Sequence, residues 1–134
     1  MNQFFKAVLI AFFCAFFPQQ APAAPEVTPL EVTKMKPESP AKLPLGEKFT
    51  VSIRYHNPGP NPVQVFARPY TKGASTRGYG AHPCEPRGKG RGKVEGWFVF
   101  DAKAKVDEIV ITMVDSKTKQ VSATLKVPVD LTWE

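Results

Sequence analysis

Lys48–His56, KFTVSIRYH, followed by Asn57–Pro62, NPGPNP, decides how this chain is read. Phe49, Val51, Ile53 and Tyr55 alternate without a break with Lys48, Thr50, Ser52, Arg54 and His56. Successive side chains of a strand point to opposite faces, so this pattern describes a strand with one apolar and one polar side. Three prolines in the next six residues remove backbone donors and mark a turn. Val63–Arg68 (VQVFAR) is the next strand, and the short connection predicts antiparallel neighbours.

Downstream, Val94–Phe100, Asp107–Val114 and Val121–Val127 carry the same β-type patterning. Pro128 interrupts the last, and Val129–Trp133 is expected to continue as an edge. Upstream, prolines at 25, 29, 37, 40 and 44 discourage helix and central strand. Residues 24–46 are therefore expected as an extended lead-in with one edge strand near Leu30–Thr33, closed by a turn at Leu45–Glu47. No convincing amphipathic helix is present. Six or seven short strands in this length predict an all-β fold, a single antiparallel β-sandwich over 47–134.

The stretch from Leu45 to Asn57 and the closing hairpin resemble the immunoglobulin-like and fibronectin type III-like domains of exported bacterial proteins. The resemblance is one of strand pattern over most of the chain. It implies an immunoglobulin-like sandwich and, because such folds host many activities, no particular function.

Residues 1–23 read as a cleaved secretory signal peptide. Lys6 precedes the apolar run Ala7–Phe17, and Ala21-Pro22-Ala23 offers small residues for cleavage. The run is shorter than the roughly 18 residues that a membrane span needs. The expected location is the periplasm or the extracellular space, with no membrane span after cleavage. Export leaves Cys84 as the one cysteine, either a half-buried side chain or a thiol that pairs or reacts between molecules.

The formal net charge of +6 is concentrated in one place. Arg68–Lys93, RPYTKGASTRGYGAHPCEPRGKGRGK, holds seven Lys and Arg against Glu85 alone, with six of the nine glycines. Such a local excess steers an anionic partner toward one face. Gly88–Lys93 alternates glycine with cation, so an extended backbone would present all its cations on one side. Two readings remain for this expected basic Gly-rich loop, 69–93: an anion site or a solvated connection. The candidate ligand-binding residues are Arg68, Tyr70, Arg77, Tyr79, Arg87, Lys89, Arg91 and Lys93, since arginine and aromatic side chains are common binding anchors. Tyr79, between two glycines, is either a plug against the domain or an exposed contact. The compartment favours an anionic envelope polymer, a lipid headgroup or an acidic protein over intracellular nucleic acid.

His82, Cys84 and His56 are the residues of metal-ligand type, but no second cysteine or ligand spacing accompanies them. No metal or cofactor is assigned. No nucleophile motif or carboxylate pair is recognisable either, so no catalytic residue is assigned. Asn57-Pro58-Gly59, Gly78-Tyr79-Gly80 and Arg68-Pro69-Tyr70 also resemble the three binding loops of chagasin-like cysteine-protease inhibitors, in a different order. That resemblance implies the alternative, a secreted inhibitor or partner subunit of an exported enzyme. The primary expectation is a non-catalytic envelope module that binds through 68–93.

Overall fold

The computed structural model describes residues 28–134. The expected signal peptide and the first residues of the lead-in lie outside this range. Nine strands follow one another: β1 (Leu30–Lys36), β2 (Ala41–Leu43), β3 (Phe49–Asn57), β4 (Val63–Thr71), β5 (Ala74–Ser75), β6 (Tyr79–Ala81), β7 (Gly90–Phe100), β8 (Ala104–Asp115) and β9 (Val121–Trp133). They form a four-stranded sheet, β1-β3-β7-β6, and a five-stranded sheet, β2-β9-β8-β4-β5. All pairs are antiparallel except β2–β9.

The inward positions of both sheets make one core. Phe49, Val51 and Ile53 of β3 and Phe98 and Phe100 of β7 come from one side, and Val65, Ala67, Ile109, Ile111 and Met113 from the other. Trp133 is fully buried among the aromatics, 4.8 Å from Phe100 and 5.9 Å from Phe98 between ring centroids. Its indole N–H donates to the Glu47 carbonyl at 2.9 Å, so burying the ring leaves no donor unpaired. Truncating Trp133 or Phe98 to alanine would cost about 3–5 kcal/mol.

Four expectations from sequence need correction. β3 and β4 are not neighbours: each sits in a different sheet, and Pro58–Pro62 crosses between the layers. The buried Asn57 side chain organises that crossing, accepting from Gly59 N at 3.1 Å and donating to Asn61 O at 2.9 Å. Both strands carry an alternating apolar face, and lying in opposite layers turns both faces into one core, where β4 packs across from β7 with Ala67 against Gly96.

The lead-in provides two strands rather than one. β1 edges the four-stranded sheet, and β2 crosses to pair with the end of β9. The end of the expected edge, Leu131–Trp133, is therefore an inner segment held between β2 and β8. Pro128 is accommodated because β2 pairs only with Leu131–Trp133, and because the β8–β9 register shifts beside it, between Val106 and Glu108.

Residues 69–93, expected as a loop, include the end of β4, all of β5 and β6, and the start of β7. A two-residue turn at Lys72-Gly73, with φ of 52° and 81°, joins β4 to β5. β7 begins four residues earlier than its apolar pattern suggests, because its glycines face inward there.

Candidate functional site

The alternation of Gly88–Lys93 becomes geometry in β7. Gly92 pairs with Tyr55 and faces the core, where a Cβ would stand 2.5 Å from the Tyr55 hydroxyl. Gly96 faces the same way, and a Cβ there would meet Ala67 and His82 at 3.0 Å. Glycine on the inner face lets bulky neighbours lie against the strand. The intervening Arg91, Lys93, Glu95 and Trp97 then project outward.

Strand register arranges the outer face of the four-stranded sheet in rungs. One rung aligns Lys36, Thr50 and Trp97; the next aligns Lys34, Ser52 and Glu95; a third aligns Glu31, Arg54 and Lys93; and His56 stands opposite Arg91. Five cations thus share the face with two carboxylates. Glu31 is engaged by Arg54 at 3.3 Å, a solvent-exposed pair that contributes little to stability. Lys48 lies 3.9 Å over the Trp97 ring and adds a sixth cation at the margin.

A shallow groove of about 520 Å³ crosses this face, lined by Thr33, Lys34, Ser52, Arg87, Lys93, Val94 and Glu95. Lys34 comes to it from β1, and Arg87 and Lys93 from the crossover after β6 and the start of β7. Among the described residues, none of these cations has a carboxylate at ion-pair distance. Arg87 is fixed by its backbone, whose N–H donates to Val63 O at 2.7 Å and whose carbonyl accepts from Val63 N at 2.9 Å. That bridge holds the crossover from β6 to β7 along the edge of β4.

The same crossover carries His82 and Cys84, which face inward. His82 is 7% exposed. Its Nδ1 lies 3.0 Å from the Pro83 carbonyl, which can only accept, so Nδ1 carries the proton. Nε2 is then a bare acceptor with no partner among the described residues. Burial holds the His82 pKa below its ordinary value, and the nearby Arg68 guanidinium adds to the effect against the Pro83 hydrogen bond. The Cys84 thiol donates to Val65 O at 2.9 Å, and burial pushes its pKa up despite Arg68 and Arg87. Such a thiol is a weak nucleophile at neutral pH. The cleft beside them, about 30 Å³, is water-sized.

The eight expected ligand-binding residues separate into three groups. Arg87 and Lys93 line the groove, Arg91 projects outward from the start of β7, and exposed Lys89 lies just before it. Arg68 instead stacks 4.6 Å over Phe66 and reaches toward Tyr79, whose ring packs edge-on against Phe100 at 6.2 Å. Tyr79 is a plug in β6. Tyr70 and Arg77 flank the β4–β5 turn at the opposite end from Asn57. Lys34, Thr33, Ser52 and Glu95 were missed as groove residues. Ser52 and Glu95 stand on visible polar faces, but only strand register joins them to Lys34.

His56 sits on the outer face, away from His82 and Cys84, and no group of three potential metal ligands occurs among the described residues. Of the three chagasin-like elements, Arg68-Pro69-Tyr70 and Gly78-Tyr79-Gly80 meet through Arg68, 6.0 Å from the Tyr79 ring, whereas Asn57-Pro58-Gly59 lies toward the opposite end of β7. No helix among the described residues is long and apolar enough to cross a membrane. No protein-family model matches this chain, and no curated protein matches it.

Proposed function

We propose that this chain is an exported, non-catalytic binding module of the cell envelope, periplasmic or extracellular, that holds an anionic partner on the outer face of its four-stranded sheet. The observation that carries the reading is that Lys34, Arg87 and Lys93 line one groove with a single carboxylate, Glu95, and no ion pair among the described residues. Three cations against one carboxylate leave the groove with a net positive charge, which favours an anion. The partner classes are an anionic polymer, a lipid headgroup or an acidic protein.

The fold reading is immunoglobulin-like. It is supported by the sheet orders, which match the A-B-E-D and G-F-C arrangement when β1, β3, β7 and β6 are set against β9, β8 and β4, with β5 in the place of an added C′ strand. A split first strand, here β1 and β2, fits the same scheme.

Retention on phosphocellulose tests the binding. The wild-type protein is expected to bind at low salt and elute as the salt rises. A Lys34→Ala/Lys93→Ala double variant is expected to lose about 1 kcal/mol per cation, roughly thirtyfold in affinity. Arg77→Ala, on the β4–β5 side, serves as the control and is expected to bind as wild type. Salt-insensitive binding, or equal retention of the double variant, would remove the groove from the function.

A further inference from the structure

We infer that the groove takes an acidic sugar, a saccharide unit bearing carboxylate or sulfate together with hydroxyl groups. This rests on the anionic reading of the same groove and narrows its ligand class. The feature that narrows it is Glu95. Its carboxylate faces outward within the cation-lined groove, opposite Ser52 and one rung from Lys93. Among the described residues it has no cation at ion-pair distance.

A ligand that is anionic throughout, such as a polyphosphate, is repelled by Glu95 and offers it nothing to accept. A ligand with hydroxyls beside its anionic group satisfies both halves of the groove. The rung Lys34–Ser52–Glu95 has this polarity built in: a cation at one end, a hydroxyl in the middle and an acceptor at the other end. Neighbouring strands lie about 4.8 Å apart, so the ends of the rung are about 10 Å apart at the backbone. Thr33 adds a second hydroxyl at the Lys34 end. The volume of about 520 Å³ lies within the roughly 300–1,000 Å³ typical of small-ligand sites.

An acidic peptide would also bring donors to Glu95. Peptide and protein recognition, however, relies on buried aromatic or aliphatic anchors, and Val94, on the inward-facing side of β7, is the one apolar residue lining this groove. The other lining residues carry a hydroxyl or a charge at the end of an aliphatic stem, which suits a ring that is apolar on its faces and hydroxylated at its rim.

The test compares tetragalacturonate, a heparin tetrasaccharide, tetrapolyphosphate and tetraglutamate by calorimetric titration of wild type and Glu95→Ala. Glu95 is exposed on a sheet face, so thermal unfolding of the variant is expected to match wild type and serves as the folding control. At least one acidic saccharide is expected to bind wild type more tightly than tetrapolyphosphate and tetraglutamate. On Glu95→Ala that saccharide is expected to lose about tenfold, the value of a charge-assisted hydrogen bond, while tetrapolyphosphate gains. Whichever saccharide responds identifies carboxylate or sulfate as the anionic group. If all ligands bind the variant more tightly, Glu95 only repels, and the sugar assignment falls while the anion site stands. If tetraglutamate binds as tightly as the saccharides, the partner is an acidic peptide and the sugar assignment again falls. If no ligand binds wild type, the anion site falls with it.

Discussion

The two halves of the basic segment have the same kind of composition and opposite fates. From Arg68 to Cys84 the distinctive side chains turn in: Arg68 covers Phe66, Tyr79 plugs against Phe100, and His82 and Cys84 bond to backbone carbonyls. From Arg87 to Lys93 they turn out, onto a face shared with Lys34 and Arg54. The first stretch holds three Lys and Arg in 17 residues and helps to close the sandwich edge, whereas the second holds four in seven and presents them to solvent. What a cation contributes is decided by what lies beneath its backbone, here an aromatic edge in one half and inward glycines in the other.

The largest expected contrast is between glycines. Gly92→Ala and Gly96→Ala place a methyl against Tyr55 or against Ala67 and His82, and each is expected to cost about 1–3 kcal/mol by chemical denaturation. Gly88→Ala, with open space around its Cβ, is expected to stay within about 0.5 kcal/mol. Equal losses at all three would erase the difference between packed and open glycines.

Acid should act next, through the closed half. The His82 pKa is depressed in the folded state, so below 6.5 the unfolded chain binds the additional proton and stability falls as the pH drops. The slope in that window can reach about 1.4 kcal/mol per pH unit, and His82→Gln should flatten it. The Asp115 carboxyl, lowered chiefly by its bond from the Thr118 amide, belongs to a different window, because its contribution is lost only as the pH falls below 3.8. A wild-type unfolding curve unchanged by the His82 substitution between those values would place the proton elsewhere.

A reciprocal pair sharpens the comparison further. Arg68→Ala is expected to lose about 0.5–1 kcal/mol of stability and no affinity for phosphocellulose. Lys93→Ala is expected to do the reverse, weakening retention while leaving the melting temperature in place. The smallest effect is chemical: alkylation of Cys84 should be slow in the folded protein and rise sharply in denaturant, as expected for a raised-pKa thiol bonded to Val65. Rapid labelling of the native protein would instead mark an open crossover.

Much of the fold was legible because local pattern fixed it. The alternation in Lys48–His56 located β3 to within a residue at each end. What local pattern does not carry is which strand lies opposite. A proline-rich turn and a crossing between layers leave the same sequence mark, so β3 and β4 read as neighbours although they lie in opposite layers. The early start of β7 was hidden because Gly90 and Gly92 replace the apolar residues that would signal an inner face. The outward display of Arg91 and Lys93 was readable from spacing alone. The contribution of Lys34 was not, since it depends on a β1–β3 register that shifts between Val32 and Lys34. Arg68 and Tyr79 looked like contacts because a sequence shows chemistry without showing that Phe66 and Phe100 already occupy it.

The pairing of β2 with β9 orders assembly in time. Ala41–Leu43 is made early, yet its partner Leu131–Trp133 is the last strand segment of the described chain, and Glu134 N donates back to Leu43 O at 3.1 Å. β1 finds β3 within a few dozen residues, whereas β2 must wait for nearly all the domain to follow. A chain emerging from its N-terminus can therefore build the four-stranded layer first and must hold the second layer unlatched. The buried indole of Trp133 arrives with that latch, so its fluorescence reports completion of the domain rather than its beginning.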